Sequence, residues 1–350
     1  MNNLLFVGVI SVVLAIVLIW GFKMLPNEKW QILGAIPQKK TEDGKWIGEN
    51  FTYYGIFNAT AIGFSVIIML ILLGSANVPL SFMLCFVVAI LGLCVPASKI
   101  VARIVEKKSY TLSVGGAFFV GIILMPWIAI FMSAVFKKWW GYHISVVHVL
   151  SAILIAYAFG EGIGRLACIS FGCCYGKPLD ELSPFLRKVF DRYNFIYTGK
   201  TKKIAYASCL DGKKIAPVQA ITCIICCLSG IIGIYLYLEG YPQAAFIETL
   251  AVTQIWRFLS EFLRADYRGD KKISSYQIMA FISFFYGTLI IFFIPFIQFT
   301  NTDIMSGMSL IWTPSIILFI QGIWWFTFFN CGRSRVTGAT MTFYVHNDKI

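Results

Sequence analysis

The stretch Glu161-Gly-Ile-Gly-Arg165 decides the fold, because it places a glutamate and an arginine at the end of an apolar run that can cross a membrane. That run covers residues 147–165, and the chain continues as Leu-Ala-Cys-Ile-Ser-Phe-Gly-Cys-Cys-Tyr-Gly176. A charge at bilayer depth costs about 2.5–3.5 kcal/mol on insertion scales, so it persists where it is paired or functional. The i, i+4 spacing places Glu161 and Arg165 on one helical face. Arg165 is therefore the first candidate for a functional residue.

The composition of the 350-residue chain is that of an integral membrane protein. Apolar residues make up 58% of it and charged residues 13%, and the mean hydropathy is +0.76. Globular proteins have roughly 25% charged residues. Apolar runs of about 18 residues or more predict membrane-spanning helices. We predict an all-α polytopic fold with about nine such helices, at residues 3–20, 54–73, 80–98, 113–136, 147–165, 216–238, 243–263, 276–298 and 309–329.

The first apolar run has the position of a signal peptide but not its flanks. No Lys or Arg precedes it, and Trp20-Gly-Phe-Lys23 follows it in place of a small-x-small cleavage site. It is also long for the apolar region of a signal peptide. We interpret it as a retained helix.

The net charge of +12 is carried by the loops between the apolar runs. Since no soluble domain is predicted, nucleic-acid binding is not expected, and anionic phospholipid headgroups are the expected partners. Of the 29 lysines and arginines, all but four lie in loops on the side of the membrane where the fifth run ends. The positive-inside rule places that side at the cytoplasmic face. The longest loops on that side cover residues 21–52 and 166–215.

The ten cysteines are not predicted to form a metal site or disulfides. Half of them lie inside apolar runs, where a free thiol behaves as a small apolar side chain. Cys173 and Cys174 are adjacent, which is poor geometry for a mutual disulfide. Cys168 with this pair lacks a second half at zinc spacing. No metal and no soluble cofactor are expected.

Polar and small residues of four segments are predicted to meet on one side of the membrane. The segments are Tyr53-Tyr54-Gly55, Ser113-Val-Gly-Gly116, Glu161 to Tyr175, and Arg257-Phe-Leu-Ser-Glu-Phe-Leu-Arg264 with Arg268. Arg257 and Glu261 have the spacing of a second i, i+4 ion pair, which Arg264 extends by one turn. Such a cationic pocket matches a phosphate diester, because guanidinium groups bind phosphate bidentately. The alternative is that the pairs only lock helices together. The sequence shows no Ser–His or His–carboxylate arrangement for nucleophilic catalysis.

These segments resemble motifs of the prolipoprotein diacylglyceryl transferase family of bacterial membrane enzymes. Gly164-Arg-Leu-Ala-Cys-Ile-Ser-Phe-Gly-Cys-Cys-Tyr-Gly176 is similar to its signature G-R-[IL]-G-N-F-x-N-G-E-x-[YW]-G, and Arg257 to Arg264 resembles its R-F-x-x-E-F-x-R helix. Weaker likenesses are Tyr53-Tyr54-Gly55, Gly115-Gly116, Ala216-Pro-Val-Gln219 and Gln277-Ile278.

The resemblance covers about residues 52–298, as a membrane core with a head loop at 166–215. The resemblance implies that seven helices form the core. Residues 1–51 add an N-terminal helix and a polar loop, and residues 299–350 add a C-terminal helix and a tail.

The family moves a diacylglyceryl group from phosphatidylglycerol to the thiol of a lipobox cysteine and releases glycerol phosphate. The resemblance implies a multi-pass protein of the bacterial cytoplasmic (inner) membrane, with phosphatidylglycerol and a prolipoprotein signal peptide as partners. It implies that Arg165 and Arg257 engage the phosphate and that Glu261 orders Arg257; these three are the predicted catalytic residues. The predicted substrate-binding residues are Tyr54, Gly115, Gly116, Glu161, Cys173, Tyr175 and Arg264.

The sequence departs from the family pattern on the acceptor side. Val114 and Ala216 stand in place of histidines, and the family's two asparagines and glutamate are replaced by Cys168, Phe171 and Cys173. A thiol acceptor must be deprotonated to attack. Two other functions therefore stay open. One is a lipid-modifying enzyme with a cytosol-facing acceptor, such as a small thiol, an amine or another lipid, and the other is a non-catalytic phospholipid-binding or transport protein.

Overall fold

A computed structural model of the chain describes residues 2–105, 114–265, 273–295 and 302–350. The helices in these residues are α1 (Asn3–Met24), α2 (Tyr53–Ser75), α3 (Leu80–Val105), α4 (Val114–Trp140), α5 (Val146–Phe171), α6 (Pro184–Arg192), α7 (Lys203–Ser208), α8 (Val218–Leu238), α9 (Pro242–Ser260), α10 (Ser275–Phe293), α11 (Ile304–Ile311) and α12 (Pro314–Cys331). Eight of them are long and apolar enough to cross a membrane: α1 to α5, α8, α10 and α12. The prediction of an all-α polytopic membrane protein is confirmed at this level.

The seventh and ninth predicted runs differ in detail from the structure. The run at 243–263 forms α9, which ends at Ser260 and is less apolar than the eight others because it contains Glu248, Arg257 and several amides and hydroxyls. The run at 309–329 is divided into α11 and α12 before Pro314. A proline has no N–H to donate and disfavours the helical conformation of the residue before it, so the chain breaks there and restarts.

Helix α5 lies at the centre of the bundle, packed against α2, α8 and α9. Small residues let these helices approach closely. A side chain at Gly162, for example, would meet the Cys227 sulfur of α8 at 2.7 Å. Because α5 is enclosed on several sides, the charges near its C-terminal end are held away from lipid and water.

Two small sheets lie in segments that the sequence presented as polar loop and tail. Strands β1 (Ile32–Lys40), β2 (Trp46–Thr52) and β5 (Arg333–Met341) form an antiparallel sheet in the order β1-β2-β5. In the head loop, β3 (Phe195–Ile196) pairs with β4 (Lys214–Ile215). The all-α prediction missed these strands. The pairing of β2 with β5 joins distant parts of the chain, of which local periodicity carries no sign.

Helices α11 and α12 run antiparallel to α2, with glycines at both ends of the contact. Gly307 lies against Gly74 and the Ile71 carbonyl, and Gly332 lies against Gly55. Close approach of backbones at small residues is how membrane helices pack without a hydrophobic driving force between them. This contact fixes the start of α2, where Tyr54 lies.

We expect Gly307→Leu to destabilise the protein by at least about 1–3 kcal/mol, because the added side chain overlaps the Ile71 backbone. The measurement is the melting temperature of the purified protein in detergent. Gly322→Leu on α12 is the matched control, since a side chain there meets open space. Equal melting temperatures for the two variants would contradict this account of the packing.

Candidate functional site

Two arginine side chains, one from α5 and one from α9, meet at a single carboxylate, that of Glu161. Glu161 on α5 accepts hydrogen bonds from Arg165 through Oε1 and from Arg257 of α9 through Oε2. Tyr157, one turn before Glu161, donates its hydroxyl to Oε2. The Glu161 side chain is 6% exposed, and the two arginines are 16% and 12% exposed. The cluster of Glu161, Arg165 and Arg257, called the arginine cluster below, is therefore largely shielded from solvent and carries a net charge of +1.

Local helix geometry explains half of this arrangement. Tyr157, Glu161 and Arg165 follow one another at i, i+4 spacing, so their side chains lie on one face of α5. The pair of Glu161 with Arg165 that the spacing predicts is present. Tyr157 was not among the predicted site residues, although the same spacing from Glu161 could have identified it.

The second predicted ion pair, between Arg257 and Glu261, is wrong. Both residues are described, and Arg257 pairs with Glu161, whereas the Glu261 carboxylate accepts from the Ser274 hydroxyl at 3.1 Å. The physical reason is that α9 ends at Ser260 and continues as a 3₁₀ turn over Glu261–Leu263. The tighter turn changes the angular offset of the side chains, so the i, i+4 rule for an α-helix no longer applies. The role of ordering Arg257 passes to Glu161.

A glycine and an aromatic ring on α4 shape the space around Arg257. A Cβ at Gly115 would lie 2.8 Å from the Arg257 Nη1 atom and 2.9 Å from the ring of Tyr276. Phe118 places its ring 5.6 Å from the guanidinium carbon of Arg257. Gly115 is therefore needed for the guanidinium to fit, and Phe118 adds a cation–π contact. Gly116 instead faces the side chain of Val101 on α3, which indicates a packing role.

Each arginine of the cluster keeps an unused donor. The Nε atoms of Arg165 and Arg257 are buried and have no hydrogen-bond partner within the described parts of the chain. A buried donor without a partner costs about 1–3 kcal/mol, more for a charged group. Two such donors on neighbouring guanidinium groups favour an anionic ligand with several acceptor oxygens, of which phosphate is the best match.

The other predicted substrate-binding residues lie around the end of α5. Tyr54 packs its ring on Phe171 with centroids 5.5 Å apart. Cys173 is buried and lies in a group of three thiols. The Tyr175 hydroxyl contacts the Ser208 hydroxyl in the head loop. The backbone of Arg264 pairs with that of Gly176, which joins the segment after α9 to residues 172–176, called the signature loop below. Ser113 and Arg268 lie outside the described residues.

Comparison with known proteins agrees with this architecture. The family model described as prolipoprotein diacylglyceryl transferase matches residues 46–293. The chain belongs to the prolipoprotein diacylglyceryl transferase family. A curated relative, phosphatidylglycerol–prolipoprotein diacylglyceryl transferase of Clostridium tetani (strain Massachusetts / E88), is 28% identical over 79 residues, which are 22% of this chain and 30% of the relative. No solved structure matches the chain.

The match to the diacylglyceryl transferase family contains the whole arginine cluster, together with Gly115 and the signature loop. It leaves out α1, α11, α12 and strand β5, which pack around the matched region. Helix α1 contacts α8 and α5, and its Gly21 lies against Leu166 one residue after Arg165. The additional helices therefore contact the same helices that carry the candidate site.

A buried lysine ties the head loop to the bundle beside this site. Lys202 is fully buried, and its ammonium group donates to the Leu25 carbonyl at 3.1 Å and the Ser170 carbonyl at 2.6 Å. These carbonyls end α1 and α5, where the helix dipole favours a cation. Burial nevertheless lowers the pKa of Lys202 from its usual 10.5 to about 7.

The depressed pKa of Lys202 predicts a pH-dependent stability. Between about pH 7 and 10.5 the unfolded chain binds a proton that the folded chain does not, so the free energy of unfolding rises with pH in that window. We expect the melting temperature of the wild type to rise from pH 7 to pH 9. The melting temperature of Lys202→Met should rise less over the same range. Lys213→Met, at an exposed lysine of the same loop, is the control and should keep the wild-type rise. A Lys202→Met curve parallel to the wild type would contradict the assignment.

Proposed function

We propose that this protein transfers a diacylglyceryl group from phosphatidylglycerol to the thiol of a lipobox cysteine in a prolipoprotein, in the cytoplasmic membrane of a bacterium. The observation that carries the proposal is the arginine cluster, in which one carboxylate holds Arg165 and Arg257 together while their buried Nε donors stay open. Membership of the diacylglyceryl transferase family and the partial likeness to the Clostridium tetani enzyme support it.

The chemistry follows from what two guanidinium groups do for a phosphate diester. The acceptor sulfur forms a bond to the terminal glycerol carbon of the diacylglyceryl group, and the bond from that carbon to the phosphate oxygen breaks. Glycerol phosphate leaves, and the proton lost by the thiol is taken up by the freed oxygen of the glycerol phosphate. Charge grows on that oxygen in the transition state, so donors fixed around it by Glu161 lower the barrier. Because Glu161 fixes both arginines before the lipid binds, they need not change position when charge develops in the transition state.

In this proposal the donor lipid approaches the arginine cluster from the headgroup region. The arginine cluster lies near the ends of α5 and α9, on the side of the membrane where the head loop and most basic loops are found. A phosphatidylglycerol headgroup at the interface can reach this depth while its acyl chains remain between helices. The basic residues around it also attract anionic lipid over neutral lipid.

Intact-mass analysis of a lipobox peptide tests the proposal. The purified protein in phosphatidylglycerol vesicles should add one diacylglyceryl mass to the peptide, with glycerol phosphate released in equal amount. Two controls define the reaction: a peptide whose lipobox cysteine is serine, and vesicles of phosphatidylcholine alone. Neither should show the mass gain. An unmodified peptide in phosphatidylglycerol vesicles, with a folded protein, would contradict the proposed acceptor.

A second candidate function keeps the donor and changes the acceptor. It is supported by Cys168 and Cys173, whose thiols replace the family's polar residues, and by the excess of basic residues in the loops on the side of the site, which favours the cytoplasmic face. The acceptor would then be a small cytosolic thiol, an amine or another lipid.

Incubation with a mixture of such acceptors, followed by lipid mass spectrometry, should give a new diacylglyceryl product. A reporter fused in the 166–215 loop that reads as exported would contradict this alternative, whereas consumption of no donor at all would indicate a phospholipid-binding protein.

A further inference from the structure

Three thiols whose spacing in the sequence did not predict a metal site lie together beside the candidate site. The sulfur atoms of Cys168, Cys173 and Cys174 all lie within 4.8 Å of one another. Cys168 and Cys173 are buried, and Cys174 is half-buried. Within the described residues, this is the one group of three or more His, Cys, Asp or Glu side chains with such spacing. The group is called the cysteine trio below.

A left-handed turn at the end of α5 brings the cysteine trio together. Gly172 ends the helix with a φ of 70°, and the Cys173 N–H donates back to the Cys168 carbonyl at 3.0 Å. This return of the chain places Cys173 over the last turn, next to Cys168. Cys174 is also left-handed, with a φ of 57°, which is uncommon for a residue other than glycine. Such conformations persist where the surroundings enforce them, and they concentrate at functional sites.

Contacts from the head loop and α8 fix the trio in place. The Gln219 side chain on α8 donates from Nε2 to the Cys173 carbonyl at 3.0 Å and to the Tyr197 hydroxyl at 2.9 Å. Gln219 is 1% exposed, and its Oε1 has no partner within the described residues.

We propose that Cys168, Cys173 and Cys174 form a trithiolate binding site for a soft, thiophilic metal ion, namely Cu(I). Binding replaces the three thiol protons, which pass to solvent, by three copper–sulfur bonds, and no electrons are transferred. The resulting complex has a charge of −2 and lies beside the arginine cluster, whose net charge is +1. The inference does not depend on the proposed transferase activity.

The donor set favours Cu(I) over other common ions. Thiolates select Cu(I), Zn(II) and iron–sulfur clusters, whereas carboxylates and carbonyls suit harder ions. Structural Zn(II) is almost always held by four protein ligands. The described residues offer three sulfurs at this place and no fourth His, Cys, Asp or Glu. Three-coordinate thiolate ligation is a geometry that Cu(I) accepts.

Competitive titration of the full-length protein tests the site. The protein is purified in detergent, reduced with a phosphine and titrated with Cu(I) from a coloured chelator complex, with Zn(II) in a parallel arm. We expect one Cu(I) per chain, a thiolate-to-copper absorption band in the ultraviolet, and Zn(II) binding at least about tenfold weaker. The variant Cys85→Ser/Cys209→Ser removes the two exposed cysteines and should bind copper as the wild type does.

Substitutions within the trio decide between this site and unspecific thiol binding. Cys174→Ser, at the half-buried position, should keep the fold and lower copper affinity at least about 100-fold, and Cys173→Ala should do the same. Unchanged affinity in a folded Cys174→Ser variant would overturn the proposal. So would tighter binding of Zn(II) than of Cu(I), or an intact mass two daltons lower without reductant that localises to a disulfide within the trio.

Discussion

Replacing Arg165 with alanine is expected to lower the rate of diacylglyceryl transfer by about 100- to 1000-fold, the range found when one fixed donor to a developing oxyanion is removed. Arg165 is held by Glu161 within its own helix and keeps a buried, unpartnered Nε. Its loss removes both the charge and the directed hydrogen bonds that the leaving phosphate would receive. The effect should appear in kcat, measured by the peptide mass assay at saturating phosphatidylglycerol.

Two variants make the Arg165 result specific. Arg165→Lys keeps the charge but not the planar fork, so most of the loss should remain. Arg187→Ala removes an arginine of the head loop whose side chain is 61% exposed, and it should retain nearly full activity. A kcat of Arg165→Ala equal to that of the wild type would contradict the assignment of Arg165 to the catalytic site.

Replacing Glu161 with alanine is expected to destabilise the protein by about 3–5 kcal/mol, because it leaves two buried guanidinium groups without their anion. The same change should abolish transfer, since Arg165 and Arg257 then repel each other and lose their common position. The measurements are the melting temperature in detergent and the transfer rate. Activity and stability should fall together, unlike the Arg165→Ala variant, whose main effect is on kcat.

Glu261→Ala is the matched comparison for Glu161→Ala. Glu261 accepts a hydrogen bond from Ser274 and does not pair with Arg257 in the described structure. Its removal should therefore cost at most about 1.5–3 kcal/mol, the contribution of one hydrogen bond to a charged group. A Glu261→Ala variant as damaged as Glu161→Ala would contradict the assignment of Glu161 as the residue that holds Arg257.

Local sequence information predicted the parts of this protein that local physics determines. Apolar runs gave the membrane helices, and the i, i+4 rule gave the Glu161–Arg165 pair. The rule failed for Arg257 and Glu261 because it assumes an unbroken α-helix, whereas α9 changes to a 3₁₀ turn at Glu261.

Contacts between distant segments could not be read from spacing. The pairing of Arg257 with Glu161 joins residues 96 positions apart, and the sheet joins β2 to the C-terminal β5. The cysteine trio depends on a left-handed turn at Gly172. The glycine is visible in the sequence, but its backbone conformation is not. In each case the residue types were visible, and the geometry that gives them a joint role arose only from the fold.

The central claim is that Glu161 joins Arg165 and Arg257 into one phosphate-binding unit. A double-mutant cycle on phosphatidylglycerol affinity tests it most directly, because it needs no knowledge of the acceptor. Native mass spectrometry would measure binding to the wild type, Arg165→Ala, Arg257→Ala and the double variant. We predict that each single change weakens binding at least about tenfold and that the double change weakens it by clearly less than the product of the two, since the arginines act on one ligand. Wild-type affinity in either single variant, or losses that multiply fully, would contradict the claim.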